Sequence, residues 1–473
     1  IHMLLWVLCS LNKRILRSSL FTLHLKNMRI LIMGAGISGL GAARVLSDQG
    51  CHVVLSDLHE IQDEKKRSTL ESRGVRFSIG PQTTGLLDGI DTMVVSPVIP
   101  RENLLVQEAF SRHIPVISEI ELAYRVAKAP ILAVTGTNGK TTTTSLLGKI
   151  LEKEGVPFAV AGNIGCSLSR VAETVPANGL IAAEVSSFQL EFVDSFKPAA
   201  AVILNITPDH MERHHSMEAY AAAKARIFEN MGPENALLLN AEDTYTPKFM
   251  NMTKAHVYLF STEHPVAEGA WLTQEGMLQL CCDGKTIDIV NEWELQIRGK
   301  HNMQNCLAAA FLAYRGGCSL DAIQDGLRDY HALEHRIEFV RTLHGVSYYN
   351  DSKATNTDAA EKALGAFHEP VILIAGGHDK DTPLNSFLQV VKAHVKHLIL
   401  LGEAAERFKR AAQEAGITRL TMVSSMEEAV KTGAALADSG DVVLLSPACS
   451  SYDMYHSYEE RGCDFKKIVQ ALE

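Results

Sequence analysis

The segment VTGTNGKTTTT, Val134 to Thr144, decides how this chain is read. A phosphate loop of spacing GxxxxGK[ST] would carry glycine at 134, where valine stands. The flanks answer for it: PILAVTG before the loop reads as a buried strand, and TTTTSLLGKILEKEG after it as a helix. Gly136, Thr137, Asn138 and Gly139 can turn backbone N–H groups toward phosphate. Lys140 supplies charge for the β- and γ-phosphates, Thr141 a hydroxyl for Mg²⁺, and Thr142 continues the first helical turn. A plain glycine turn would explain the glycines but not Lys-Thr at a helix start behind a buried strand, so ATP binding is expected.

Working outward, RILIMG, HVVLSD, TMVVSP and IPVIS upstream read as buried strands, with SGLGAARVLSDQG as the first helix. Downstream, GLIAAEVSS, AAAVILNIT and NALLLNA read as strands and HNMQNCLAAAFLAYRGG as a helix. Between them, HVYLFST to DIVNEWELQIRG suggests additional β-structure. After HRIEFV, a further set of strands is read at VSYYND, PVILIAGG, HLILLGE and DVVLLSP. Strands alternating with helices imply parallel sheets covered by helices. The expected fold is α/β: three α/β domains in series over residues 28–118, 119–332 and 333–473, with 1–27 an extension that is non-native or disordered.

The 473 residues suit about three domains. A net charge of −10 without a long basic run argues against a nucleic-acid partner. The nine cysteines show neither CxxC spacing nor a Cys/His cluster of zinc type, the pattern of free thiols in a reducing cytosol. LLWVLCSL near the start is too short for a membrane span, and its basic residues follow rather than precede it, so stable membrane insertion is not expected.

GAGISG, Gly34 to Gly39, fits GxGxxG between strand and helix, and Asp57 ends the next strand where a ribose-binding acid would stand. Taken alone this fits NAD; the same loop could hold a UDP diphosphate, or merely let helix and strand pack. Glu184 ends an apolar strand, as a magnesium ligand would, and His210 follows the next strand. Lys224, on an Ala-rich helix, is by composition an ordinary surface lysine. HNMQN (301–305), EHRIE with Arg336, NDSKATN (350–356), AGGHDKD with Lys380 and SPACSSYDMYHSYEERG stand after strands or at helix starts, where polar ligands are held.

These motifs, in this order, resemble the Mur ligase family of ATP-dependent amino-acid ligases, from about Met28 to the end. GTNGKTT is similar to that family's short phosphate loop, and NDSKATN with LSPACSSYDMYHSYEERG to its D-glutamate-adding members. The resemblance implies an N-terminal Rossmann-like UDP-binding domain, a central P-loop ATPase-like domain and a C-terminal Rossmann-like domain. It implies joining D-glutamate to UDP-N-acetylmuramoyl-L-alanine through an acyl phosphate, for cytoplasmic peptidoglycan precursor synthesis, by a monomer with small-molecule partners. Lys140 and Thr141 would meet ATP phosphates and Mg²⁺, with Glu184 on a first magnesium ion and His210 with a carbamylated Lys224 on a second. Asn302, Asn305, Arg336 and Asp351 would hold adenosine and phosphate. Ile37, Ser38, Asp57, Asn163 and His210 would meet the UDP substrate; Lys353, Thr355, Lys380, Ser451, Tyr452 and Tyr458 would surround D-glutamate. Two residues depart from the pattern: Val98 where glycine is expected beside the diphosphate, and Tyr458 where phenylalanine is expected.

Attack of a carboxylate on the γ-phosphate joins two anions, so placed cations must offset the repulsion. Three domains that close on one another would align the reactants. Alternatives are a folylpolyglutamate synthase, a diamino-acid-adding ligase, or a nucleotide-regulated sensor, the last needing neither Lys224 nor Lys380.

Overall fold

The computed structural model describes residues 25–61, 63–282, 284–331, 334–379 and 382–473. Three sheets follow one another along the chain. They divide between two compact units, Ile1–Glu294 with Met303–Asp329, and Leu295–Asn302 with Tyr330–Glu473.

In the first unit, β1 (Arg29–Met33), β2 (His52–Asp57), β3 (Arg76–Ile79), β4 (Thr92–Val95) and β5 (Val116–Ser118) form a parallel sheet in the order β3-β2-β1-β4-β5. The order reverses between β1 and β4, so the loops after them open onto one crevice at the carboxyl edge. Leu25 is buried in the core beneath this sheet, and the Asn27 N–H donates to the Gly50 carbonyl at 3.0 Å.

The second sheet of that unit contains β6 (Ile131–Thr135), β7 (Phe158–Gly162), β8 (Leu180–Glu184), β9 (Ala200–Ile203), β10 (Ala236–Asn240), β11 (His256–Ser261), β12 (Gly269–Leu272), β13 (Met277–Cys282) and β14 (Lys285–Asn291). Their order is β14-β13-β12-β11-β10-β9-β6-β8-β7. β6, β8, β9 and β10 are buried at every residue, which is why they read as unbroken apolar runs. The β-structure expected after HVYLFST is β12 parallel to β11, followed by antiparallel β13 and β14. Because β6 lies between β8 and β9, the phosphate loop, Glu184 and the segment leading to His210 leave neighbouring strand ends.

In the second unit, β15 (Glu338–Leu343), β16 (Val346–Asn350), β17 (Val371–Gly376), β18 (Val395–Leu401), β19 (Leu420–Met422) and β20 (Val442–Leu445) run in the order β15-β16-β20-β17-β18-β19. Only β15 is antiparallel to its neighbour. The adjacent carboxyl ends of β16, β20 and β17 therefore present NDSKATN, SPACSS and AGGH side by side.

The apolar-run reading misses RFSI, FAVAG and LTM, which are β3, β7 and β19. Each is an edge strand with at most one fully buried residue, so its apolar signal is diluted.

Candidate active site

The phosphate loop is closed by two glycines with left-handed or extended positive φ. Gly139 (φ 85°) precedes the helix Lys140–Glu154, and a Cβ there would stand 2.3 Å from Asn305 Oδ1. The loop is anchored from β9: the Thr137 N–H donates to the Asn205 carbonyl (2.9 Å) and the Asn138 N–H to Asn205 Oδ1 (2.8 Å). Asn205 escapes sequence reading because its role lies in a partner 67 residues away. Asn305 is buried and accepts from Thr143 Oγ1 at 3.2 Å, holding the helix start from behind. Thr141 is half-buried at the first turn, and Thr142 is buried behind it.

Lys140 Nζ donates to the carbonyls of Gly136 (2.9 Å) and Thr137 (2.8 Å). Lys224 Nζ donates to that same Gly136 carbonyl at 2.8 Å. The surface-lysine reading of Lys224 is thereby overturned: it is 1% exposed, with Nζ 4.7 Å from the centroid of the Tyr220 ring. Burial, and secondarily the Lys140 charge, holds its amine well below the ordinary lysine range, against the opposing pull of Asp209 and Glu184. Tyr220 also donates its hydroxyl to Thr137 Oγ1 at 3.2 Å, so ring and loop support each other.

Glu184 is 2% exposed. Its Oε1 accepts from Asn163 Nδ2 at 2.8 Å, while Oε2 is buried with no hydrogen-bond partner. An orphaned carboxylate oxygen is costly unless a cation meets it, so the donor set fits a hard metal ion. The same contact brings Asn163, read as a UDP-substrate residue, against Glu184, read as a metal ligand. His210 is exposed, at φ 54°, at the start of the helix Met211–His214, with its ring 4.8 Å from Phe188. His214, which sequence reading passed over, is buried on the same phenylalanine; burial pushes it down to about 4 and leaves it neutral beside Ser187 Oγ (3.0 Å).

At the first sheet, Asp57 Oδ2 braces the glycine loop by accepting from the Ala35 N–H (2.6 Å), while Oδ1 accepts from the His59 N–H (3.0 Å) in the turn after β2. A Cβ on Gly39 would lie 1.8 Å from the Gly34 carbonyl oxygen, which is why strand and helix can meet there. A groove of about 350 Å³ runs along Ala35, Gly36, Ile37, Asp57, His59 and Ile61, and Ser38 stands in the first turn of the helix that borders it. Val98 is 75% exposed and does not have a left-handed backbone, so its Cβ costs no strain.

In the second unit, Asp351 is buried, accepting from Ser446 Oγ (2.7 Å) and the Ile337 N–H (3.2 Å); burial pushes its carboxyl up to about 7. Arg336 stands between His335 (φ 67°) and Ile337 (φ 45°), and a β-branched residue in that region marks a strained turn. Asn302 is buried, its Nδ2 donating to the Arg298 carbonyl at 2.7 Å. Lys353 Nζ lies 5.4 Å from the centroid of the Tyr458 ring. Thr355 is half-buried, Ser451 buried and Tyr452 72% exposed; Lys380 lies outside the described residues. The buried Arg461 was not anticipated: its guanidinium donates to Ser352 Oγ (2.9 Å) and to the carbonyls of Ser352 (2.8 Å), Ser450 (3.1 Å) and Cys449 (3.1 Å). It clamps the NDSKATN loop to the SPACSS loop.

Glu334, His335 and Cys463 also cluster in that unit. Asn350 Nδ2 donates to Glu338 Oε2 (3.0 Å) and to His335 Nδ1 (2.9 Å), so the imidazole proton sits on Nε2, facing the cluster. Lys466 pairs with Glu334 as well, and this arrangement does not suit a metal.

Three family models cover the chain: "Mur ligase MurD-like, N-terminal domain" over 28–118, "Mur ligase middle domain" over 134–313, and "Mur ligase, glutamate ligase domain" over 335–449. A relative from Caldanaerobacter subterraneus subsp. tengcongensis, named UDP-N-acetylmuramoylalanine–D-glutamate ligase, is 42% identical over 453 residues, covering 95% of this chain and 100% of its own. One of the same name from Desulfitobacterium hafniense strain Y51 is 42% identical over 450 residues, covering 95% and 98%. Among solved structures, the UDP-N-acetylmuramate-alanine ligase MurC of Thermotoga maritima matches with a TM-score of 0.56 at 18% identity, over 94% of this chain and 100% of that one. The last likeness is one of fold. Three consecutive domain models and relatives that align from end to end, together with a short phosphate loop whose Gly136 carbonyl takes two lysines, show that this chain belongs to the Mur ligase family.

Proposed function

We propose that this protein joins D-glutamate to UDP-N-acetylmuramoylalanine in an ATP-dependent ligation of peptidoglycan precursor synthesis. The alanyl carboxylate oxygen attacks the γ-phosphorus as the bond to ADP breaks, giving an acyl phosphate. The D-glutamate amine, having lost its ammonium proton, then attacks the acyl carbon; the bond from that carbon to the phosphate oxygen breaks, phosphate leaves with the electron pair, and the nitrogen gives up a second proton to reach the amide. The observation that carries this reading is the buried Lys224 beside the phosphate loop, in a chain 42% identical from end to end to D-glutamate ligases.

Lys140 meets the ATP phosphates over the loop Gly136–Thr142, and Asn302, Asn305, Arg336 and Asp351 serve adenosine and phosphate. Thr141 and Glu184 would hold one magnesium ion, and His210 with Lys224 a second; the ions supply positive charge where two anions must meet. Lys224 suits this role only with its charge reversed. An ammonium beside Lys140 would repel a cation, whereas a neutral amine can add to CO₂, lose a proton and become a carbamate. The depressed basicity of Lys224 supports that chemistry. The UDP substrate runs along Ile37, Ser38 and Asp57 toward Asn163 and His210. D-Glutamate is met by Lys353, Thr355, Lys380, Ser451, Tyr452 and Tyr458, where the Lys353 to Tyr458 contact supports a shared pocket. Tyr458 keeps the aromatic ring, and burial raises its hydroxyl to about 12, so it stays neutral.

We place the enzyme in the cytoplasm as a monomer; among the described residues, no helix is long and apolar enough to cross a membrane. The test is ADP release with UDP-N-acetylmuramoyl-L-alanine and D-glutamate, L-glutamate or a diamino acid. Release is expected to depend on D-glutamate. Equal release with every amino acid would sink the proposal.

A further inference from the structure

We propose that Arg213 is a positioning residue that ties the UDP-substrate loop of the first sheet to the metal-site segments of the second. The inference rests on the functional reading above and adds a residue to it. Arg213 lies three positions after His210, on the helix Met211–His214. Its Nε and Nη2 grip both oxygens of Glu191, at 3.1 and 2.7 Å. Nη2 also donates to the Ile99 carbonyl at 3.0 Å and Nη1 to the Val98 carbonyl at 3.4 Å. The guanidinium carbon stands 5.0 Å from the centroid of the Phe188 ring, which in turn packs against His210 and His214.

Each partner leads to a different functional segment. Glu191 caps the short helix Ser187–Leu190 that follows Glu184. Val98 and Ile99 belong to the turn after β4, in which the Ile99 N–H donates to the Ser96 carbonyl (3.0 Å) and Ser96 Oγ donates to the Gly34 carbonyl of the glycine loop (3.1 Å). One guanidinium thus joins the glycine loop, the Glu184 segment and the His210 helix. Exposed ion pairs contribute little, but here both side chains are only 14% exposed and the grip is bidentate. A planar fork with five donors can span carboxylate and carbonyls at once, which an ammonium cannot. The Val98 and Ile99 carbonyls are turned toward Arg213, which keeps their negative ends from an incoming diphosphate.

The test uses the full chain with Arg213→Met, Arg213→Lys and Glu191→Gln. KM for UDP-N-acetylmuramoyl-L-alanine, KM for ATP and kcat are measured, together with direct binding of the UDP substrate without ATP. All three variants are expected to weaken UDP-substrate binding and raise its KM, and to lower kcat on the order of 10²-fold for a displacement near 1 Å, with a smaller change in KM for ATP than in KM for the UDP substrate. Arg213→Lys should not rescue. An unchanged UDP-substrate affinity, or an equal rise in every KM accompanied by a falling Tm, would overturn the proposal. Should Arg213→Met not fold, Glu191→Gln, which keeps the shape of the carboxylate, decides the matter. If the unmodified chain showed no D-glutamate-dependent turnover, the functional reading would fail, while the binding measurement would still judge Arg213.

Discussion

Replacing Lys224 with methionine separates the chemistry of this residue from its packing. An alanine would delete three buried methylenes, costing about 2.4 kcal/mol at roughly 0.8 kcal/mol each, and would confuse the two. Methionine nearly conserves the volume, so the packing cost is expected to stay under about 1.5 kcal/mol. Against it stands a gain, because a buried amine with a strongly depressed basicity is replaced by an apolar group. Lys224→Met is therefore expected to fold with a Tm close to the parent. Its loss should appear in turnover: without the group that would hold one magnesium ion, a cation that offsets the meeting of two anions is lost, at a cost on the order of 10²- to 10³-fold, about 2.7 to 4 kcal/mol. A second signature lies in pH. The amine binds its proton less readily in the fold than in the unfolded chain, where its ordinary value of 10.5 returns, so the unfolded state carries the extra proton below 10.5. Stability should then rise with pH toward that value, and the methionine variant should lose this slope. ADP release and urea unfolding across pH in CO₂-depleted buffer read both effects. A methionine variant that turns over as fast as the parent would refute the role of Lys224.

Two further predictions concern groups that the fold buries. Glu119 is fully buried, with Oε2 unpartnered, and burial holds it at about 7 against 4.5 when unfolded. The folded state keeps its proton longer, so this favourable contribution is complete below 4.5 and is lost as pH rises through 7, with a penalty of roughly 3 kcal/mol above that. Glu119→Gln should gain Tm relative to the parent between pH 5 and 8; a difference that does not change with pH would show the reasoning wrong. Arg461→Ala leaves the carbonyls of Ser352, Ser450 and Cys449 without their donor, an expected loss of about 3 kcal/mol or more by urea midpoint, with a raised KM for D-glutamate. Full stability in that variant would show that the clamp is dispensable.

The local sequence carried most of the fold. β6, β8, β9 and β10 are covered on both faces, so burial writes itself as consecutive apolar residues. The phosphate loop is legible because its working groups are contiguous from Gly136 to Thr142. Edge strands such as β19, half-buried throughout, leave no such run.

What the sequence alone determined was therefore the order of strands, helices and glycine loops, and through the resemblance a set of site residues. It could not assign the environment of a single side chain whose partners are distant in the chain. Lys224 meets Gly136 from 88 residues away, Arg213 meets Ile99 from 114, and Arg461 meets Ser352 from 109. Composition places a lysine on an Ala-rich helix at the surface. Only the tertiary structure buries it against a carbonyl that Lys140 already shares, because desolvation and opposing charge are properties of the packed neighbourhood and not of the segment that carries the residue.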